Sequence, residues 1–265
     1  MIINSPILLA FLGTMITFLA TTIGSAFVFF FKNGISLFYQ RICLGFAAGV
    51  MIAASVWSLL IPAIEMAKEQ GKVGWIPAAG GFLLGGIFLY LLDLCLPHLH
   101  LMTGVQEGKS NHFKRSTLLF LAVTLHNIPE GLAVGLSFSL AAQGNQSFNL
   151  TFALVLAIGI GLQNLPEGAT ISLPLCKEGV SASKAFIFGA LSGVVEPIAG
   201  VLGAVLVGSI IGFMPWFLAF AAGAMIYVVV EELIPEAQLG EHSHSNTAGV
   251  MLGFLVMMVL DIALG

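Results

Sequence analysis

Two hexapeptides, HNIPEG at 126–131 and QNLPEG at 163–168, set an imidazole, three amides and two carboxylates into otherwise apolar sequence. On a helix, residues i and i+4 share a face, so His126 and Glu130 project together, as do Gln163 and Glu167. Asn127 and Asn164 are turned about 100° from those faces, beside them. An ionised carboxylate at bilayer depth costs at least about 2.5 kcal/mol. No Lys or Arg falls in an apolar core segment of the chain, so compensation must come from a proton or a bound cation. Imidazole, carboxylate and amide oxygens together suit a borderline divalent ion such as Zn2+, Fe2+ or Mn2+. The set is too poor in nitrogen, and too far from any thiol, for a closed structural zinc site. Pro129 and Pro166 each remove an N–H from the helix ladder, which predicts interrupted helices whose freed carbonyls face protein or water. Gly131 and Gly168 then permit close approach of a neighbouring helix.

A further acid, Glu196 in SGVVEPIAG, is again followed by proline. Glu130, Glu167 and Glu196 are expected to converge on one polar centre. Glu231, Glu232 and Glu236 in EELIPEA read either as an ordinary acidic interface or as a route by which a metal leaves, since intramembrane acids line pathways. Asp93 reads as interfacial or structural, and Asp261 is given no role. Thr21, Thr22, Ser55 and Ser58 read as hydroxyls bonded to backbone carbonyls. His98, His100, His112, His242 and His244 fall in connections and read as solvated loop residues, with weak metal capture as the alternative for the paired ones.

These residues need helices to hold them. The chain is 58% hydrophobic and 8% charged, with a mean hydropathy of +1.03; soluble domains carry about 25% charged residues. A spanning helix takes about 20 apolar residues, and eight stretches qualify: 7–31, 38–62, 76–96, 116–140, 148–174, 183–211, 214–236 and 246–264. The fold class is therefore all-α, a polytopic membrane protein forming one domain over 1–265 with a connection at about 97–115. The three cysteines, odd in number and in or beside apolar segments, argue against a disulfide framework. MIINSP has no basic stretch of the kind a secretory signal begins with. Seven of the nine Lys and Arg lie in odd-numbered connections, which predicts those connections to be cytoplasmic and both termini outside. Trp75 and Trp216 then open helices on the same outer face.

FAAGVMIAASVWSLLIPAIE at 46–65 and FAAGAMIYVVVEELIPEA at 220–237 share their opening and their closing LIP, with one residue of slip between. Given the predicted topology, the two run in opposite senses, as do the two hexapeptides. Helices 1–3 and 6–8 thus read as inverted copies around helices 4 and 5, a pattern of secondary transporters.

HNIPEG on the fourth helix, QNLPEG on the fifth and VVEPIAG on the sixth resemble the motifs of the ZIP family of divalent metal-ion transporters, in the right order and over essentially the whole chain. The likeness is greatest to the short bacterial-type, GufA-like branch. The resemblance implies a two-metal centre. One ion would be held by His126, Glu130, Gln163 and Glu167; a second would use Asn127, Asn164 and Glu196, with Glu130 and Glu167 bridging. Some members have aspartate where this chain has Asn164, so the neutral amide should weaken the second position. Glu232 is the preferred exit-route acid by the same resemblance. It also implies alternating access, with helices 1, 4, 5 and 6 moving against 2, 3, 7 and 8, and it admits a homodimer.

The expected function is import of a divalent metal, zinc or else iron, manganese or cadmium, across an inner or plasma membrane. The metal is cargo and not a prosthetic group. The expected partners are metal ions and lipid, with no nucleic acid. An intramembrane metal-dependent hydrolase is a poorer reading, because HNIPE is H-x-x-x-E and the membrane segments hold one histidine. A proton-coupled carrier of an organic substrate would leave the recurrence of His, Asn and Gln beside the acids unexplained.

Overall fold

The computed structural model describes residues 5–31, 36–95, 98–99, 106–107, 115–144, 149–177, 179–209, 211–238 and 244–264. Eight long helices form the bundle. We label them α1 (Pro6–Ser25, ending in the tight turn Ala26–Phe29), α2 (Leu37–Glu69), α3 (Trp75–Cys95), α4 (Arg115–Ala142), α5 (Leu150–Lys177), α6 (in two halves, Ala182–Ser192 and Val195–Ser209), α7 (Met214–Val228, continuing through Ile234–Gln238) and α8 (Ser245–Leu264). A two-residue antiparallel ladder, His98–Leu99 with Gln106–Glu107, lies between α3 and α4. Among the described residues seven helices are long and apolar enough to cross a membrane, and α4, with 28 residues, has the length for it too. The chain is a polytopic membrane protein, with leucines, isoleucines and phenylalanines facing outward all round it.

The interruptions are not where proline alone predicts them. α4 and α5 run unbroken through Pro129 and Pro166. One missing N–H does not end a helix clamped along its length by neighbours. α6 does break, at Gly193 and Val194, just before Glu196 and Pro197. The other two irregularities are π turns, Ser55–Leu60 in α2 and Val229–Leu233 in α7. Each leads directly into Ile-Pro, at Pro62 and Pro235. Proline clashes with the carbonyl four residues before it, and widening the preceding turn moves that carbonyl aside.

The repeated FAAG segments do the same work in both halves. Gly49 of α2 lies against the carbonyl of Val250 in α8, and Gly253 of α8 against that of Phe46. The same reciprocal crossing joins α7 and α3: Gly223 lies against the carbonyl of Phe82, and Gly85 against that of Phe220. Each crossing is so close that a single methyl group would run into backbone. The small-residue pairs Gly81/Gly85 and Gly249/Gly253 are G-x-x-x-G spacings that bring helix backbones together. The equivalences of α2 with α7 and α3 with α8 carry the internal repeat beyond sequence similarity.

Glycine contacts join α1, α4, α5 and α6 into one group, and they pair α2 with α8 and α3 with α7. Gly24 and Gly168 join α1 to α5, Gly131 and Gly135 join α4 to α6, and Gly189 and Gly193 join α6 to α1. Among the described glycines, every such approach to a helix backbone stays within α1, α4, α5 and α6, or within α2, α3, α7 and α8. Where a glycine reaches across between groups, at Gly159, it meets the flexible side chain of Met257.

Arg41, in the second turn of α2 beside the first connection, is buried. Lys72 donates to the carbonyl of Gly212, so the connections after α2 and α6 lie on one face. Lys32, Lys109, Lys114, His100, His112 and His242 lie outside the described residues, as do the side chains of His98 and Glu236; His244 is described and exposed.

Candidate metal centre

α4 supplies His126, Asn127 and Glu130; α5 supplies Gln163, Asn164 and Glu167; the second half of α6 supplies Glu196 in its first turn. All seven are buried, the most exposed being His126 and Glu167 at 4%. Gln163 Nε2 donates to Glu130 Oε1 and, at 2.7 Å, to Asn164 Oδ1. The two hexapeptides are thereby joined face to face. Glu167 interacts electrostatically with Glu130, Glu196 and Glu232.

Glu196 enters because α6 breaks. Gly193 and Val194 form a turn, Glu196 N–H donates to the carbonyl of Gly193 at 3.0 Å, and the side chain emerges at the start of a new helix. A carboxylate is favoured there by the helix dipole. Gly131 of HNIPEG lies directly against the Glu196 backbone, which sets the depth of this acid relative to α4. Asn127 serves the break from the other side: its Nδ2 donates to the carbonyl of Ser192 at 3.1 Å, one of the carbonyls the break leaves without a helical partner.

In the centre acceptors outnumber donors. Asn127 Oδ1, Glu130 Oε2, Gln163 Oε1, both oxygens of Glu167 and Glu196 Oε2 are buried with no hydrogen-bond partner among the described residues. Buried acceptors of this kind are costly unless a donor or a cation satisfies them. Carboxylate and amide oxygens with one imidazole nitrogen fit a divalent metal of borderline softness. Among the described residues no three His, Cys, Asp or Glu side chains form a ready-made ligand cage. The centre is an open array in which amides stand between the acids. Asn164 spends its oxygen on Gln163 and turns Nδ2 inward; reversing it would set two NH2 groups against each other.

Glu232, expected on an exit route, is in contact with one of these residues. Its Oε1 lies 2.6 Å from His126 Nε2, although it sits on α7, within the π turn. Glu231, next to it, is exposed. Ser58 departs from expectation, and Thr21 adds an acid to the expected carbonyl of Thr17. Ser58 donates to Asp261 Oδ1 at 2.8 Å, giving that acid a partner on α2, and Thr21 donates to Glu196 Oε1 at 3.0 Å. Ser55 and Thr22 do bond backbone carbonyls, those of Met51 and Phe18. Asp93 stands beside Tyr227 of α7.

Residues 103–261 match the family described as ZIP Zinc transporter. The chain is 39% identical to Zinc transporter ZIP11 of Homo sapiens, over 99% of each chain. It is 42% identical to Zinc transporter GufA of Myxococcus xanthus, over 84% of this chain and 86% of that one. With Zinc transporter ZIPB of Bordetella bronchiseptica it shares 37% identity, over 97% of this chain and 81% of that one.

The chain belongs to the ZIP family.

As a ZIP protein it is a transporter and not an enzyme, which removes the hydrolase reading.

Proposed function

We propose that the chain carries zinc into the cytoplasm across an inner or plasma membrane by alternating access, with both termini outside. The observation that carries this reading is the cluster of buried acceptor oxygens on α4, α5 and α6 that no donor among the described residues satisfies. Zinc as the cargo is supported by the names of the relatives that span most of the chain. The ion is held by His126, Glu130, Gln163 and Glu167. Asn127, Asn164 and Glu196 make a second, weaker position, weakened because Asn164 offers an N–H2 where an anionic oxygen would bind. Group α1, α4, α5 and α6 moves against group α2, α3, α7 and α8. Glycine-to-backbone packing holds the first group together and, within the second, the pairs α2/α8 and α3/α7; the Gly159–Met257 contact between the groups is through a side chain and allows sliding. His126 hands the ion to Glu232 across the boundary as the groups shift.

The test is uptake of radioactive zinc by liposomes holding the purified protein. Wild type should accumulate zinc, and Glu167→Ala should reduce uptake to background while remaining folded by size-exclusion chromatography. Unchanged uptake by Glu167→Ala would remove the centre from the pathway. Uptake of manganese or iron in place of zinc would change the cargo and leave the centre standing.

A further inference from the structure

Thr21 of α1 sits where three helices of one group meet. Its carbonyl lies against Gly168 of α5, where a Cβ would run into it. Its side chain lies against Gly193 of α6, where a Cβ would come within 3.1 Å of Thr21 Cβ and 3.2 Å of Glu196 Oε1. Both neighbours are glycine, so α1 approaches until the threonine fills the remaining space, and Thr21 is fully buried. Its hydroxyl carries one proton and has two acceptors within reach. The carbonyl of Thr17 is 3.3 Å away, and Glu196 Oε1 is 3.0 Å away. The carboxylate is the closer acceptor, and a hydrogen bond to an ionised group is roughly twice as strong as one to a neutral group. Thr17, one turn earlier and equally buried, gives its proton to the carbonyl of Thr14 at 2.9 Å, so Thr21 is the hydroxyl that holds Glu196.

A carboxylate at the end of a glutamate turns about its last bond with little resistance. Tying one oxygen fixes the direction of the other. Here Oε1 is the tied oxygen, and Oε2 is buried with no hydrogen-bond partner among the described residues. We propose that Thr21 is a positioning residue for metal transport: by holding Glu196 Oε1 it presents Oε2 to the centre and sets the affinity of the weaker divalent-cation position. The tie also limits Glu196 to one oxygen toward the cation, which keeps that ligand exchangeable. This inference rests on the transport reading above.

Four proteins test it beside wild type: Thr21→Val, which keeps the shape and removes the hydroxyl; Thr21→Ser, which keeps the hydroxyl; Glu196→Gln; and Thr21→Val combined with Glu196→Gln. In zinc-uptake liposomes Thr21→Val should raise KM about tenfold, the scale of one charge-assisted hydrogen bond, with a much smaller change in maximal rate. Thr21→Ser should stay within about twofold of wild type, since it restores the bond. In the Glu196→Gln background, Thr21→Val should add nothing, because the two act as one unit. Calorimetric titration of the detergent-solubilised proteins with zinc reads the same weakening without transport. A wild-type KM in Thr21→Val, equal damage from Val and Ser, or the same fold-change with and without Glu196 would each overturn the proposal. If Thr21→Val does not fold, Thr21→Ala takes its place. Wild-type liposomes that take up no zinc would sink the transport reading, while the titration would still decide the role of Thr21.

Discussion

His126 Nε2 and Glu232 Oε1 meet at 2.6 Å from helices that belong to different glycine-joined groups. Under the proposed alternating access, a contact that spans the boundary must break or be traded. Any ion held through Nε2 competes with the glutamate for that atom, so cargo and contact are alternatives.

Coupling between these two residues is therefore expected in transport. His126→Ala and Glu232→Ala should each cut the initial rate of zinc uptake by about tenfold or more, and the double variant should be little worse than the more damaged single one. Four proteins assayed in liposomes give the cycle. Strictly multiplying losses would mean that the two residues act separately.

Asn164→Asp should tighten the second position. An anionic oxygen would replace an amide whose own oxygen is occupied by Gln163. The expected result in calorimetric titration is a second zinc ion bound at least about tenfold more tightly, a gain of roughly 1.4 kcal/mol. Turnover should be slower, because the cargo leaves late. A single site of unaltered affinity in both proteins would contradict the weakened second position.

The two FAAG crossings should fail alike. Gly85→Val and Gly253→Val each force a branched side chain into the opposing helix backbone, at Phe220 and Phe46. Overpacking of this kind costs about 1–3 kcal/mol and more against backbone. Thermal unfolding in detergent should show losses of similar size at both positions. A large loss at one and none at the other would break the equivalence.

Joining the groups should stop transport. With Cys43, Cys95 and Cys176 replaced by alanine, Gly159→Cys and Met257→Cys put a thiol pair where α5 and α8 touch through a side chain. Oxidation should abolish zinc uptake and reduction should restore it. Full uptake in the demonstrably cross-linked protein would exclude relative movement at this boundary.

What could be read in the residues alone divides along physical lines. The hexapeptides and Glu196 stood out because polar groups in hydrocarbon are costly, and the helices followed from apolar length. The bundle brings these residues together as that logic requires. Glu232 was harder to read. A π turn rotates the helix beyond it, so a period of 3.6 residues does not say whether Glu231 or Glu232 faces inward. Thr21 and Ser58 could satisfy themselves locally, and only the distant helices α6 and α8 show that they bond acids. Pro129 and Pro166 misled in the other direction, since a helix held by its neighbours survives a lost N–H. The glycine pairs of α3 and α8 carried no local signal in helices already rich in small residues.

The two π turns also bear on direction. Ser58 is the fourth residue of one and Glu232 the fourth of the other. A frame whose crossings are the same when turned over thus carries a hydroxyl at one position and an acid at its counterpart. Ser58 is engaged with Asp261 on its own side of the boundary, whereas Glu232 reaches over to His126. A symmetrical frame would carry the same group at both positions; this one differs there, as it differs between His126 and Gln163 of the hexapeptides, and the two ends of the frame are chemically unlike.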